Sequence, residues 1–230
     1  MSVVSEPSTA PDLGHPDVGS VLVTVVEAES ADGQAAVARA VADQWRATQW
    51  PEGLLSLACF TSLEDHLLLT YAQWASGGAP HTSPADDGFI GRAVAHLASG
   101  VRVYPSVEYL VHRSTVADPT AVPTFFSVDE FQTAGREATH AWIDRALSLE
   151  AKAGAHASPG AVSGHIHVSS DGTRMLNVSG WVSLAAHAEF LAGGALLQTF
   201  AALGSPGTPC VGSNGYRLHT HLTATQSAPR

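Results

Sequence analysis

Two stretches of this chain carry the same landmarks, in the same order and at one spacing. Asn177-Val178-Ser179-Gly180-Trp181 repeats the frame of Thr70-Tyr71-Ala72-Gln73-Trp74, and the step from Trp74 to Trp181 also carries Tyr109 onto Tyr216 and His112 onto His219. One offset shared by several landmarks is the mark of a duplicated module, so the two halves are constrained to one fold. Within that frame the copies differ in chemistry. Thr70 stands where the second copy has Asn177, and Phe60 where it has His167.

Periodicity divides both copies into the same elements. Residues 21–27 are rich in β-branched side chains and read as a strand. Asp32 and Gly33 then open a helix to about Thr48, with Val37, Val41, Ala42, Trp45 and Thr48 at helical spacing. Residues 54–60 and 67–74 read as two strands, 77–84 as a loop, 88–98 as a second helix, and 101–113 as a closing strand broken near Pro105. The second copy repeats the order. A short strand over 124–128 leads to a helix ending near Gly154, whose inward stripe is Phe131, Gly135, Ala138, Trp142, Ala146 and Leu149. A hairpin over 161–169 and 173–182, a helix capped by Ser183 and interrupted at Gly193-Gly194 on its way to Leu203, and a strand over 211–222 complete it.

Each copy is thus β-α-β-β-α-β. The expected fold class is α+β: two tandem ferredoxin-like modules, each with helices on one face of its sheet and with the bare faces packed sheet to sheet. The expected boundaries are a flexible tail over 1–19, modules over 20–114 and 115–222, and a C-terminal tail over 223–230.

Composition excludes several function classes. A net charge of −10 with only 11 Lys and Arg leaves no cationic surface for a nucleic acid partner. No apolar run approaches the roughly 20 residues that span a bilayer, and no signal-peptide pattern opens the chain, so a soluble, cytoplasmic protein is expected. Cys59 and Cys210 form no CxxC pair and predict neither a zinc site nor a redox dithiol. Of the 12 histidines, His112, His219 and His221 fall near one another in the strand pattern, but no carboxylate or third spacing joins them, and no metal site is expected.

The second hairpin carries the densest chemistry. Asp171-Gly172 at its tip permits a two-residue loop, which puts His165 and His167 on the face opposite Asn177 and Trp181, or a three-residue loop with a left-handed glycine. The three-residue loop is favoured. It gathers Ser163, His165, His167, Asn177, Ser179 and Trp181 on one face, toward the helices, with Val162, Ile166, Val168, Leu176 and Val178 on the other. A polar sheet face beneath helices needs partners, water or a ligand, which predicts a pocket. The first copy shows no such polar face and reads as a filled structural module.

Residues 163–190, with His167-Val168-Ser169-Ser170-Asp171-Gly172-Thr173-Arg174 and then Asn177-x-x-x-Trp181, resemble the antibiotic biosynthesis monooxygenase family. That family forms dimeric α/β barrels, and the chain is most similar to its cofactor-free, quinone-forming anthrone oxygenases of aromatic polyketide pathways. The resemblance implies a single-chain barrel, monomeric or weakly dimeric, which oxidises a small aromatic polyketide with O2 in antibiotic or pigment biosynthesis. It needs no cofactor, because an electron-rich phenol or anthrone supplies its own electrons. The implied catalytic residues are Asn177 as oxyanion or peroxide donor, Trp181 as wall and N–H donor, and His167 or His187 in proton transfer. Ser163, His165, Ser179 and Phe190 would line the substrate site. Where the family carries an arginine about twenty residues after the tryptophan, this chain reads Ala201. A polyketide cyclase or aromatase, a non-catalytic aromatic-ligand accessory protein, and a haem protein with His187 as axial ligand are the alternative readings.

Overall fold

The computed structural model describes residues 3–5, 10–76, 88–95, 97, 100–153 and 159–225. In chain order the elements are β1 (Val3–Ser5), β2 (Val18–Ala28), α1 (Ala31–Ala47), β3 (Leu54–Ser62), β4 (Leu67–Ala75), α2 (Gly88–Val94), β5 (Val101–Val103) and β6 (Val107–Val116). There follow β7 (Phe125–Thr133), α3 (Arg136–Ala153), β8 (Ala161–Ser169), β9 (Arg174–Trp181), α4 (Leu184–Ala192), α5 (Ala195–Leu203) and β10 (Gly207–Thr225). The fold is α+β and ferredoxin-like, with a large antiparallel sheet and few helices.

The chain divides into two compact units: Met1–Leu110 with Tyr216–Arg230, and Val111–Gly215. In the first, β10 from Tyr216 onward pairs with β3, β3 with β4, β4 with β2, and β2 with β5 and β6. In the second, β8 pairs with β9 and β9 with β7. The expected final strand over 211–222 therefore divides between the units, and Tyr216 and Tyr109 lie buried in the same one.

Local chemistry accounts for the helices. Ser30 Oγ accepts from Gly33 N at 3.1 Å and caps α1, whose buried face is Val37, Ala38, Val41, Ala42 and Trp45. That face packs on Leu57, Cys59, Leu68, Ala72 and Trp74 of the first sheet. At the other end, Trp50 Nε1 donates to Trp45 O at 2.9 Å and occupies one of the carbonyls a helix leaves unpaired. In the second unit α3 contributes Ile143 to a core with Val168 and Met175, with Trp142, Leu147, Phe131 and Ile166 packed around it.

Several expectations are corrected. The 1–19 tail is not structureless: Val3–Ser5 pair with Thr223–Thr225 of β10, so residues 223–225 are strand as well. These three residues cover an edge whose amides would otherwise lie open. Leu13 is buried, and Gln73 Nε2 donates to Asp12 O at 2.9 Å. The strand expected over 124–128 extends to Thr133, so Phe131 belongs to β7 and not to a helix, and Gly135, with φ +127, precedes α3. The loop over 77–84 and the cap at Gly154 lie outside the described residues.

Candidate functional site

The β8–β9 hairpin decides which residues meet. Its register pairs His165 with Val178, Ile166 with Asn177, His167 with Leu176 and Val168 with Met175. Odd residues face even ones across the ladder, so the three-residue loop is overturned in favour of a four-residue connection over 170–173. The cause is Asp171, whose carboxylate accepts from Ser169 Oγ at 2.6 Å and Thr173 N at 2.9 Å, while Thr173 O accepts from Thr133 N at 2.8 Å. These bonds satisfy the extra residue, and Ser169 Oγ takes the first amide of the return strand, Arg174 N, at 2.9 Å. The first unit uses the same device, with Leu67 N donating to Ser62 Oγ at 2.8 Å. There Leu57 pairs with Ala72 and Cys59 with Thr70, again odd with even.

The expected single polar face therefore splits. Asn177, Ser179 and Trp181 share the helix-covered face with Ile166, Val168 and Met175, since Val168 and Met175 pack on α3. His165 and His167 lie on the opposite face beside Leu176 and Val178, and Ser163 joins them opposite Gly180. A Cβ at Gly180 would come within 3.2 Å of Ser163 Oγ and 3.1 Å of Pro123 Cβ, so a side chain there would crowd both. His165 is 2% exposed and His167 fully buried, with His165 Nδ1 at 3.0 Å from Ser114 Oγ and His167 Nδ1 at 3.3 Å from Leu176 O. Burial, reinforced by the neighbouring His165, pushes the His167 pKa down to about 4. It is a neutral interior histidine, removed from the Asn177 constellation.

Other residues take their place, and the sequence reading missed them. Strand β7 pairs Phe125 with Trp181, Ser127 with Ser179 and Asp129 with Asn177. A polar strip results. Asn177 Nδ2 lies 3.3 Å from Ser179 Oγ and 3.5 Å from Asp129 Oδ2, and Trp181 Nε1 donates to Ser127 Oγ at 3.1 Å. The alternation Phe125-x-Ser127-x-Asp129 is the available signal, and it stays hidden while the strand is taken to end at Val128. From α4, His187 stands edge-on to Trp181 with ring centroids 5.1 Å apart, Phe190 lies at the same 5.1 Å separation from Trp181, and Phe125 is 5.1 Å from His187.

Ser183 starts α4 at the angle that delivers both rings, with Oγ accepting from Ala186 N at 3.1 Å. Ser183→Ala should cost about 1 kcal/mol, measurable in a urea titration. An unchanged midpoint would show that the cap is not needed.

Burial lowers the His187 pKa, and the Asp129 carboxylate acts the other way. The imidazole is thus held neutral near pH 7 and able to accept a proton. Asp129→Asn should lower the His187 pKa further in an NMR titration, and a rise would contradict the assigned coupling.

The first unit is not filled. A cavity of about 180 Å³ lies on its helix-covered face, bounded by Leu57, Thr70, Ala72 and Trp74 of the sheet, Trp45 of α1 and Phe89 of α2. The short side chains Thr70 and Ala72, packing residues by sequence alone, leave the room. Cys59 is fully buried and its thiol is pushed up to about 12, so it supplies no thiolate. Among the described residues no group of three His, Cys, Asp or Glu is placed to hold a metal ion, and no helix is long and apolar enough to cross a membrane.

No family model matches this sequence, and no curated protein matches it. Solved structures do. An anthrone oxidase-like protein aligns with a TM-score of 0.62 at 14% identity over 93% of this chain and 96% of its own. A candidate monooxygenase of Fusobacterium nucleatum aligns at 0.56 with 13% identity over 92% and 96%. Another from Lactobacillus acidophilus aligns at 0.53 with 8% identity over 90% and 96%. At such identities the likeness is one of fold.

Proposed function

We propose that this chain is a cofactor-independent monooxygenase that converts an anthrone or phenol of the aromatic polyketide class to a quinone with O2, working on the helix-covered face of the second unit. The observation that carries the proposal is the strip Asn177–Ser179–Asp129–Ser127 ending against Trp181, His187, Phe125 and Phe190. A flat aromatic substrate would stack among these rings with its oxygen toward Asn177. His187, neutral and beside the rings, takes the proton from the activated ring carbon. The carbanion passes an electron to O2, the two radicals combine to a peroxide, and loss of water leaves the carbonyl, so that CH2 and O2 become C=O and H2O. Asn177 donates to the oxyanion, an interaction typically worth about 10² to 10³ in rate. His167, His165 and Ser163 have no part in this site.

The proposal includes a tandem origin of the chain and the polyketide substrate class. Supporting the first, the offset that relates Trp74 to Trp181 also carries Leu54–Ser62 of β3 onto Ala161–Ser169 of β8, and Gly88 at the start of α2 onto Ala195 at the start of α5. Supporting the second are the aromatic walls and the fold shared with an anthrone oxidase-like protein. The test is oxygen uptake with an anthrone, in the absence of nicotinamide and flavin, compared with spontaneous oxidation. The expected result is one O2 consumed per quinone formed, above background. Binding without uptake would replace the oxygenase by an accessory binder, and conversion to a cyclised product without O2 by a cyclase.

A further inference from the structure

We propose that α4 is a lid: without a ligand, His187 and Phe190 rest on Trp181 and Phe125 in the place of an aromatic substrate, which enters when α4 swings outward about Ser183 and Gly193-Gly194. The inference rests on the site placed in the second unit above and concerns how that site opens. As they stand, its walls touch one another. The ring centroids of Trp181 and His187, of Trp181 and Phe190, and of Phe125 and His187 are each 5.1 Å apart. A flat ligand held between two rings needs them about 7 Å apart, which is two contacts of about 3.5 Å. The other faces of the walls are covered too, since Trp181 is 4% exposed and Phe125 2%. Asn177 and Ser179 are only half-buried. The polar end of the strip is open while its aromatic end is shut.

Of the elements that carry these rings, α4 is the one free to move. Phe125 and Trp181 face each other across the β7–β9 ladder and are fixed by the sheet. Helix α4 has nine residues and none of them is buried, whereas α1 buries Val37, Ala38, Val41, Ala42 and Trp45. A helix shorter than about 12 residues is marginal without tertiary contacts. Those of α4 are few. Among the described residues none of its side chains makes a hydrogen bond or an ion pair, and it is held by the ring contacts, by Ala186 seated against Gly160 and by the attraction of Asp129 for His187. Both ends suit rotation. Ser183 is in extended backbone, and Gly194 has φ +74 with nothing within 4 Å of the place a Cβ would take. Residues at the ends of an element absorb the backbone change of a hinge, and glycine does so without a steric penalty.

The full chain labelled with 5-fluorotryptophan gives one fluorine signal for each of its five tryptophans, and Trp181→Phe assigns the one that matters. Without ligand the Trp181 signal should show microsecond-to-millisecond exchange in relaxation dispersion, and saturation with 1,8-dihydroxyanthraquinone should shift it and quench the exchange. Association of the same quinone, followed by stopped-flow fluorescence, separates a lid from a fixed wall. Binding to a gated site is slowed in proportion to the fraction of molecules that are open, whereas loss of a fixed wall speeds dissociation. Phe190→Ala should therefore raise the association rate constant at least fivefold. Gly160→Ala should act in the same direction from outside the site, because its Cβ would come within 2.5 Å of Ala186 Cβ and lift the first turn of α4, with folding checked by thermal melting. An unchanged association rate in Phe190→Ala, or a Trp181 signal without exchange, would overturn the lid. Oxygen uptake decides the chemistry separately. Uptake with unchanged association rates keeps the oxygenase and removes the lid, and faster association without uptake keeps the lid and removes the oxygenase. A quinone that leaves the Trp181 signal unmoved removes both.

Discussion

Asn177→Ala should lower anthrone-dependent oxygen uptake at least tenfold with little effect on stability. The amide is well placed to be used by a ligand, because its contacts within the protein are long: 3.3 Å to Ser179 Oγ and 3.5 Å to Asp129 Oδ2. Bonds at that length contribute little to folding, so their loss should barely move the melting temperature. An oxyanion donor removed from a water-poor site, by contrast, typically costs about 10² in rate or more. Trp181→Phe should also reduce turnover at least tenfold, but it breaks the bond to Ser127 Oγ at 3.1 Å and leaves a buried hydroxyl without that partner. A stability loss of about 1 kcal/mol is then expected, which makes Asn177→Ala the cleaner measurement. Full turnover in both variants would remove the site from the second unit.

Acid should destabilise the chain through His167, by about 3 kcal/mol between pH 6.5 and pH 4. The folded pKa is lowered from 6.5 to about 4 because the ring is fully buried beside His165. The unfolded chain therefore binds the proton first. The contribution is complete above pH 6.5, is lost as the pH falls through about 4, and levels off below. Urea titrations at pH 7.5 and 4.5, on the protein and on His167→Phe, isolate it from the histidines at 112, 187 and 219, whose pKa values are also lowered by burial. Phenylalanine is the conservative choice because Phe60, offset from His167 by the same step as Trp74 from Trp181, is buried in the first unit. The variant should show a shallower loss of stability toward low pH. An identical slope in both proteins would mean that His167 does not titrate as assigned.

The two predictions separate residues that the sequence had grouped. Alternation along β9 places Asn177, Ser179 and Trp181 together, and the structure keeps them so, because a strand's own period of two is a local property. Alternation along β8 likewise groups Ser163, His165 and His167. Which face of one strand joins which face of the other is not local. It depends on whether the connecting loop has an odd or even number of residues, and Asp171 settled that by taking the Thr173 amide. The pattern Ser169-x-Asp171-x-Thr173 was visible and marks such a turn, but its effect on parity appears only once the ladder is built.

The same distinction runs through the site. The element order from β2 onward, the Ser183 cap and the break at Gly193-Gly194 follow from short-range rules of propensity, capping and glycine conformation and could be read along the chain, whereas β1 exists only through its pairing with β10. Ser127 and Asp129 entered the site by pairing with Ser179 and Asn177, far along the chain, and His187 and Phe190 by the way α4 packs beside Trp181. The cavity of the first unit is the plainest case. Leu57, Ala72, Trp45 and Trp74 are what a filled core is made of, and nothing in their order says that the atoms fall short of filling the space. By itself the sequence determined the order of the elements from β2 onward, the Ser183 cap and which side chains share one strand's face. Strand register, the joining of distant polar residues and the unfilled volume were decided by tertiary structure, because each depends on how surfaces far apart in the chain meet.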